Sequence, residues 1–163
     1  MTAATDGVEG IAWDLSDEYP AADAPEVERD LERLDALQDE LEEANAVLVP
    51  LLDAAETLGL AEAADGIGAA RRAFALVEEG GRLLGDPGVY ASCCLSVDSG
   101  DAAALALVGR LQARQKRFAE LAEPLSQFLD RVPDRVVEAF LDDAATGHAR
   151  FAVEHSRKRR HEL

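Results

Sequence analysis

Residues 102–131 read AAALALVGRLQARQKRFAELAEPLSQFLDR, and this stretch decides the fold class. Leu105, Val108, Leu111, Gln115, Phe118, Leu121, Leu125, Phe128 and Leu129 follow one another at helical spacing. Steps of three and four put such a series on one stripe of an α-helix. Just upstream, Asp98-Ser99-Gly100-Asp101 offers side-chain acceptors to the free N–H groups of a first turn. At 1.5 Å per residue the helix would be about 45 Å long, with a bend expected at Pro124.

The same period extends in both directions. Val27, Leu31, Leu34, Leu37 (or Gln38) and Leu41 mark a helix beginning at Pro25, and Val47, Leu48, Leu51 and Leu52 continue its stripe. Pro suits a first helical turn, where its missing N–H would have no partner. Pro50 is expected to kink or break the helix. The opposite face is acidic, from Glu26 and Glu28 to Glu42 and Glu43. A second helix is expected from about Ala69 to Leu84, weakened by Gly80-Gly81 and ended by Gly85-Asp86-Pro87-Gly88. The uncharged run Val89–Val97 fits a buried strand or a buried helix. A lone strand would have no partner, so a buried helix is expected. Downstream, Pro133 opens a helix with Val136, Val137, Phe140 and Leu141 inward, and a last helix runs from about His148 to Arg160. The expected fold is all-α: a helical bundle of about six helices, two of them long, with antiparallel neighbours. Residues 1–24 form an extended N-terminal arm and 25–163 the helical domain.

Composition supports helix and narrows function. Among 163 residues 48% are apolar and only 5% aromatic, and the apolar share is mostly Ala and Leu, which lose little freedom in a helix. The net charge of −17 argues against a nucleic-acid backbone as partner and against an anionic membrane surface. The charge is uneven: residues 1–109 hold 24 acids and 5 bases, and residues 110–163 hold 9 and 11. Such asymmetry can steer one half onto a partner or onto the other half; solvated helix faces in a chain of high-salt or GC-rich origin explain it more simply. The opening MTAATDGVEG lacks a basic start and an apolar stretch, and no run is long enough to span a bilayer. A cytoplasmic protein with two reduced thiols is expected.

No catalytic, cofactor-binding or metal-ligating residue is assigned. Zinc peptidase chemistry needs two His at i and i+4 with a neighbouring Glu and a third ligand. His148, His155 and His161 are spaced too widely to share one ion. Adjacent Cys93 and Cys94 are poorly placed to bridge each other; buried, unreactive small side chains are the plainer reading, with a redox or metal module the remote one. Gly66, Gly68 and Gly80-Gly81 read as turn or helix-end glycines, not phosphate cradles. Arg157-Lys158-Arg159-Arg160 suits the negative end of a helix.

The arm contains an island, Trp13-Asp14-Leu15-Ser16-Asp17-Glu18-Tyr19-Pro20, which resembles the opening signature of oligoendopeptidase F proteins, a family of zinc metallopeptidases. Tyr90-Ala91-Ser92 ahead of Asp98–Asp101 is similar to the family's tyrosine–alanine–serine stretch before an acidic turn. Arg110 to Phe118 on the long helix, and Arg150-Phe151 to Leu163, follow in the family's order. Cys93-Cys94 and Gly80-Gly81 depart from it. The resemblance implies a non-catalytic N-terminal lobe, inactive alone, that helps wall the peptide channel. The family's zinc and its ligands belong to a catalytic part beyond Leu163, supplied in cis or by another chain. The candidate docking residues are Trp13, Leu15, Tyr19 and Tyr90, facing that catalytic domain or a second copy. The alternative is a free-standing acidic helical protein-interaction module.

Overall fold

The computed structural model describes residues 19–161, the last two without side-chain detail; Trp13 and Leu15 lie outside them. The fold is all-α. Helix α1 is Pro25–Leu48, α2 Ala64–Val97, α3 Ala102–Arg131, α4 Asp134–Leu141 and α5 Arg150–His161. Short 3₁₀ segments occupy Val49–Thr57 and Gly147–Ala149. Helices α1, α2 and α3 form an up-down-up bundle. Arg33 meets Glu79 and Arg72 meets Glu43 across antiparallel α1 and α2, while Glu28 meets Arg110 and Asn45 meets Leu121 across parallel α1 and α3.

Several boundaries follow directly from local chemistry. α1 starts at Pro25 and ends before Pro50, where the chain tightens into the 3₁₀ segment. α3 opens on Asp101, whose carboxylate accepts from the Ala104 N–H at 3.0 Å. α4 follows Pro133 with Val136, Val137, Phe140 and Leu141 all buried.

The largest correction concerns α2. The expected stop at Gly85-Asp86-Pro87-Gly88 does not occur: one helix of 34 residues passes through Gly66, Gly68, Gly80, Gly81 and Pro87. There are thus three long helices, not two. Proline removes one ladder donor and strains the preceding turn, but Leu83, Pro87, Tyr90 and Ala91 are all buried, and packing of that face on both sides of Pro87 outweighs the local penalty. The Val89–Val97 segment is helical as expected but buried only at Tyr90 and Ala91: Val89 is 64% and Val97 79% exposed.

The glycines are helix-contact residues rather than turn residues at two places. A Cβ on Gly66 would lie 2.6 Å from Leu51 Cδ1 and 3.0 Å from Phe128 Cζ, and one on Gly80 would lie 2.8 Å from Phe118 Cζ. These positions let α2 approach the 3₁₀ segment and α3. The stripe on α3 is also displaced. Leu105 is exposed, and Ala104 and Leu107 are buried in its place, because α3 faces both α1 and α2 and its inward arc is wider than one partner would require.

Two buried amides fix the register of α1 on α3. Gln38 Nε2 donates to the Arg114 carbonyl at 3.0 Å and Asn45 Nδ2 to the Leu121 carbonyl at 2.8 Å. The second bond falls just before Pro124, whose missing N–H leaves the Glu120 carbonyl, not that of Leu121, without its ladder donor. Leu37 and Gln38 are both buried, so the stripe of α1 contains both residues. Guanidinium groups close other helix ends: Arg71 donates to the Ala139 and Phe140 carbonyls at the end of α4, and Arg157 to the Leu129 carbonyl near the end of α3.

Candidate interaction site

The lead-in Tyr19–Ala24 is non-helical and packs on one end of the bundle, with Tyr19, Ala22 and Ala24 buried. The Tyr19 ring meets Tyr90 edge-on, centroids 5.4 Å apart at 77°, a geometry that sets the positive edge of one ring on the face of the other. The Tyr19 hydroxyl donates to Asp30 Oδ2 at 2.6 Å. Burial first, and then the Asp30 carboxylate, hold its phenol far above the ordinary range. Burial, then the hydrogen bond with Cys94, raises Tyr90 as well. Val27 and Leu31 of α1 and Leu107 and Leu111 of α3 complete this cluster. Two of the four candidate docking residues are therefore spent on each other inside the chain.

Part of the charge asymmetry is also used within the molecule. Arg110, Arg114 and Arg117 of α3 stand opposite the acidic flank of α1. Arg110 forks onto Glu28 at 2.6 Å, Arg114 onto Asp35 at 2.8–2.9 Å, and Arg117 reaches Asp39 and Glu42. Arg110 pulls the Glu28 carboxyl below its usual range. From α1 to α2, Arg33 bridges Glu79 and Glu40, and lowers Glu79. Each partly exposed pair contributes little by itself, but together they orient three helices.

On the side of the α2/α3 pair away from α1, an open groove of about 900 Å³ runs along the seam. Its α2 wall presents Gly81, Gly85, Gly88, Ser92 and Ser96 at helical spacing, and its α3 wall presents Val108, Leu111, Gln112, Gln115, Phe118 and Ala119. In a chain that is 30% charged, none of the fourteen lining residues carries a charge. A Cβ added at Gly81, Gly85 or Gly88 would meet nothing within 4 Å. Toward the other end of the α2/α3 pair a second open groove is lined by Phe74, Val77, Leu125 and Leu129 together with Ala152 and Val153 of α5. The small-residue period on α2 was the sequence signal for this groove, and the reading of Gly85–Gly88 as a helix end concealed it.

The remaining candidates are dispersed. His148 Nε2 lies 2.6 Å from Glu78 Oε1 and its ring leans on Phe74, whereas His155 stacks on Phe151; the His161 side chain is outside the described set. Among the described residues no three His, Cys, Asp or Glu side chains gather as a metal site. Cys93 and Cys94 are free thiols and half-exposed, a correction to the buried placement expected for them that follows from the exposure of this end of α2. In the basic run, Arg157 does not serve its own helix terminus but pairs with Asp134 at 2.9 Å. No described helix is long and apolar enough to cross a membrane. No family model matches the chain, and neither a curated protein nor a solved structure matches it.

Proposed function

We propose that this chain is a non-catalytic helical lobe of an oligoendopeptidase F-like zinc peptidase, helping to form a peptide channel and inactive alone. The observation that supports this reading is where the resembling stretches fall. Tyr19 of the opening signature and Tyr90-Ala91 of the second stretch are 71 residues apart in sequence and share one buried cluster. Arg110 of the third stretch lies beside them, tied to Glu28 of α1. Stretches that resemble a family in order, and that also meet in space, are what one packing unit of such a lobe would contain. Part of the charge asymmetry that motivated a free-standing interaction module is used inside the bundle by the α1–α3 ion pairs.

The test is reconstitution. The pure chain, given zinc and a quenched oligopeptide, is expected to show no turnover. Added to the catalytic part of an oligoendopeptidase F enzyme made without its N-terminal lobe, it is expected to sediment as a one-to-one complex and to raise peptide turnover. Turnover by the chain alone, or no association with that catalytic part, would overturn the reading.

A further inference from the structure

We propose that the outward face of α5, built on Phe151, His155, Lys158 and Arg159, docks a short acidic segment of a partner protein, with an apolar side chain of that segment on the Phe151 ring and its carboxylates on the two cations. The inference is independent of the peptidase reading.

The helix has two distinct sides. Val153 is buried, Ser156 donates to Asp130 at 3.0 Å, and Arg157 donates to the Leu129 carbonyl and pairs with Asp134; these three turn toward α3 and α4. Phe151, His155 and Lys158, at steps of four and three, stand on the opposite side, and Arg159 flanks them. All four are exposed. Phe151, at 81%, is the most exposed large apolar side chain among the described residues. One exposed ring is ordinary on a protein surface; its surroundings set this one apart. The His155 imidazole lies parallel to it, at 6° with centroids 6.0 Å apart, and steadies the ring while leaving most of it open. The two cations beside it are unspent. Among the described residues the side chains of Lys158 and Arg159 make no hydrogen bond or ion pair, although the chain holds 33 acids to 16 bases. Their helix neighbours Arg150 and Arg157 are paired with Glu138 and Asp134. A place near a helix C-terminus favours a cation, but it accounts neither for the missing carboxylates nor for Phe151 in the first turn.

From Phe151 to Arg159 the helix rises about 12 Å, the length of about four extended residues. The face therefore matches a segment whose apolar side chain is separated from its carboxylates by three or four residues. Aromatic and arginine side chains supply much of the binding energy at interfaces, and a carboxylate strengthens its bond to a charged donor. Other anionic occupants fit less well. Asp134, Glu138 and Glu154 border Lys158 and would repel a bilayer or a nucleic acid, whose charge is spread over a wide surface; a segment one strand wide can lie on the cations without covering those acids. A whole second copy would bring a net charge of −17 toward −17, which opposes approach.

The probe is a fluorescein-labelled peptide carrying a leucine and, three and four residues from it, two glutamates. Titrated with the full chain at about 50 mM salt, its polarisation is expected to rise and saturate, and the binding to weaken when salt is raised to about 500 mM. The same peptide with glutamines in place of the glutamates should not bind. Lys158→Glu combined with Arg159→Glu should weaken binding by about tenfold or more, and Phe151→Ser by several-fold, with far-UV circular dichroism unchanged because all three side chains are exposed. Lys116→Glu, at an exposed cation of α3, should bind as the parent does. The proposal is overturned if the parent does not bind, if the α5 variants bind as well as the parent, or if Lys116→Glu loses as much, which would reduce the effect to overall charge. It is also overturned if phosphatidylserine vesicles or single-stranded RNA bind the parent more tightly than the peptide and lose that binding in the α5 variants. A dimer seen in sedimentation and abolished by Lys158→Glu with Arg159→Glu would assign the face to a second copy and overturn it too.

Discussion

Two glycines two residues apart on α2 should respond to the same substitution with opposite signs. At Gly68 an added Cβ meets nothing within 4 Å, so Gly68→Ala acts through the backbone alone. Alanine is favoured over glycine in a helix interior by about 0.8–1 kcal/mol, partly because the unfolded chain has fewer conformations to lose. At Gly66 the same methyl would lie 2.6 Å from Leu51 Cδ1 and 3.0–3.2 Å from the Phe128 ring. Leu51 is half-buried and can retreat. Phe128 is 0% exposed and cannot turn without disturbing Leu125 and Leu129. Forcing a methyl into a packed core costs about 1–3 kcal/mol, and Gly66 stands in the first turn of α2, where the propensity gain is smaller. The net for Gly66→Ala is a loss of about 1–2 kcal/mol against a gain of about 1 at Gly68. The two variants should then differ in melting temperature by roughly 5–10 °C, at about 2–4 °C per kcal/mol for a chain of this size. Urea unfolding followed by far-UV circular dichroism measures both. A Gly66→Ala variant as stable as the parent would refute the close approach of α2 to Phe128.

Three further outcomes follow from polar contacts. Asn45→Ala removes the buried amide that donates to the Leu121 carbonyl, and should cost about 1–2 kcal/mol in urea unfolding; no loss would mean that this contact adds nothing beyond the carbonyl's own ladder bond. The Tyr19 phenol is raised above its unfolded value of 10.0, so it contributes stability that is complete below pH 10 and lost as pH rises beyond it. Tyr19→Phe should be less stable than the parent at neutral pH by about 1 kcal/mol and should melt less steeply with pH above 10; parallel alkaline limbs would contradict the Asp30 contact. Glu79 is depressed below 4.5 by Arg33, so its contribution is present above pH 4.5 and lost as pH falls through the lower folded value. With both partners at least a third exposed, Glu79→Gln should cost about 0.5 kcal/mol at pH 7 and flatten the acid limb, as thermal melts from pH 7 down to 3 would show.

The sequence carried the helices and their inward faces well wherever one residue type answers one neighbour. Pro25, Pro50, Asp101 and Pro133 mark boundaries because each acts through a backbone group whose need is local. The α4 pattern of Val136, Val137, Phe140 and Leu141 held because that helix has one covered side. Reading failed where tertiary packing outweighs a local rule. Nothing near Pro87 announces that Leu83, Tyr90 and Ala91 will be buried on either side of it, and that burial keeps α2 in one piece. The displaced stripe of α3 has the same origin: a period of three and four identifies a face toward one neighbour, whereas α3 has two.

The groove was harder to see for a related reason. Periodicity reports which faces are apolar, but a gap in a seam exists only once the path of the covering element is known. Phe74 and Leu125, which line the groove beside α5, look no different in sequence from Leu84 and Leu111, which line the other. What distinguishes the two ends is the α2 wall, where Gly81, Gly85, Gly88, Ser92 and Ser96 stand in place of larger side chains such as Phe74 and Val77. A helix that packs closely against a rigid neighbour gains from small residues where the neighbour touches it, as Gly80 does under Phe118. Here the small residues face open space, where they weaken the helix and contribute no packing of their own.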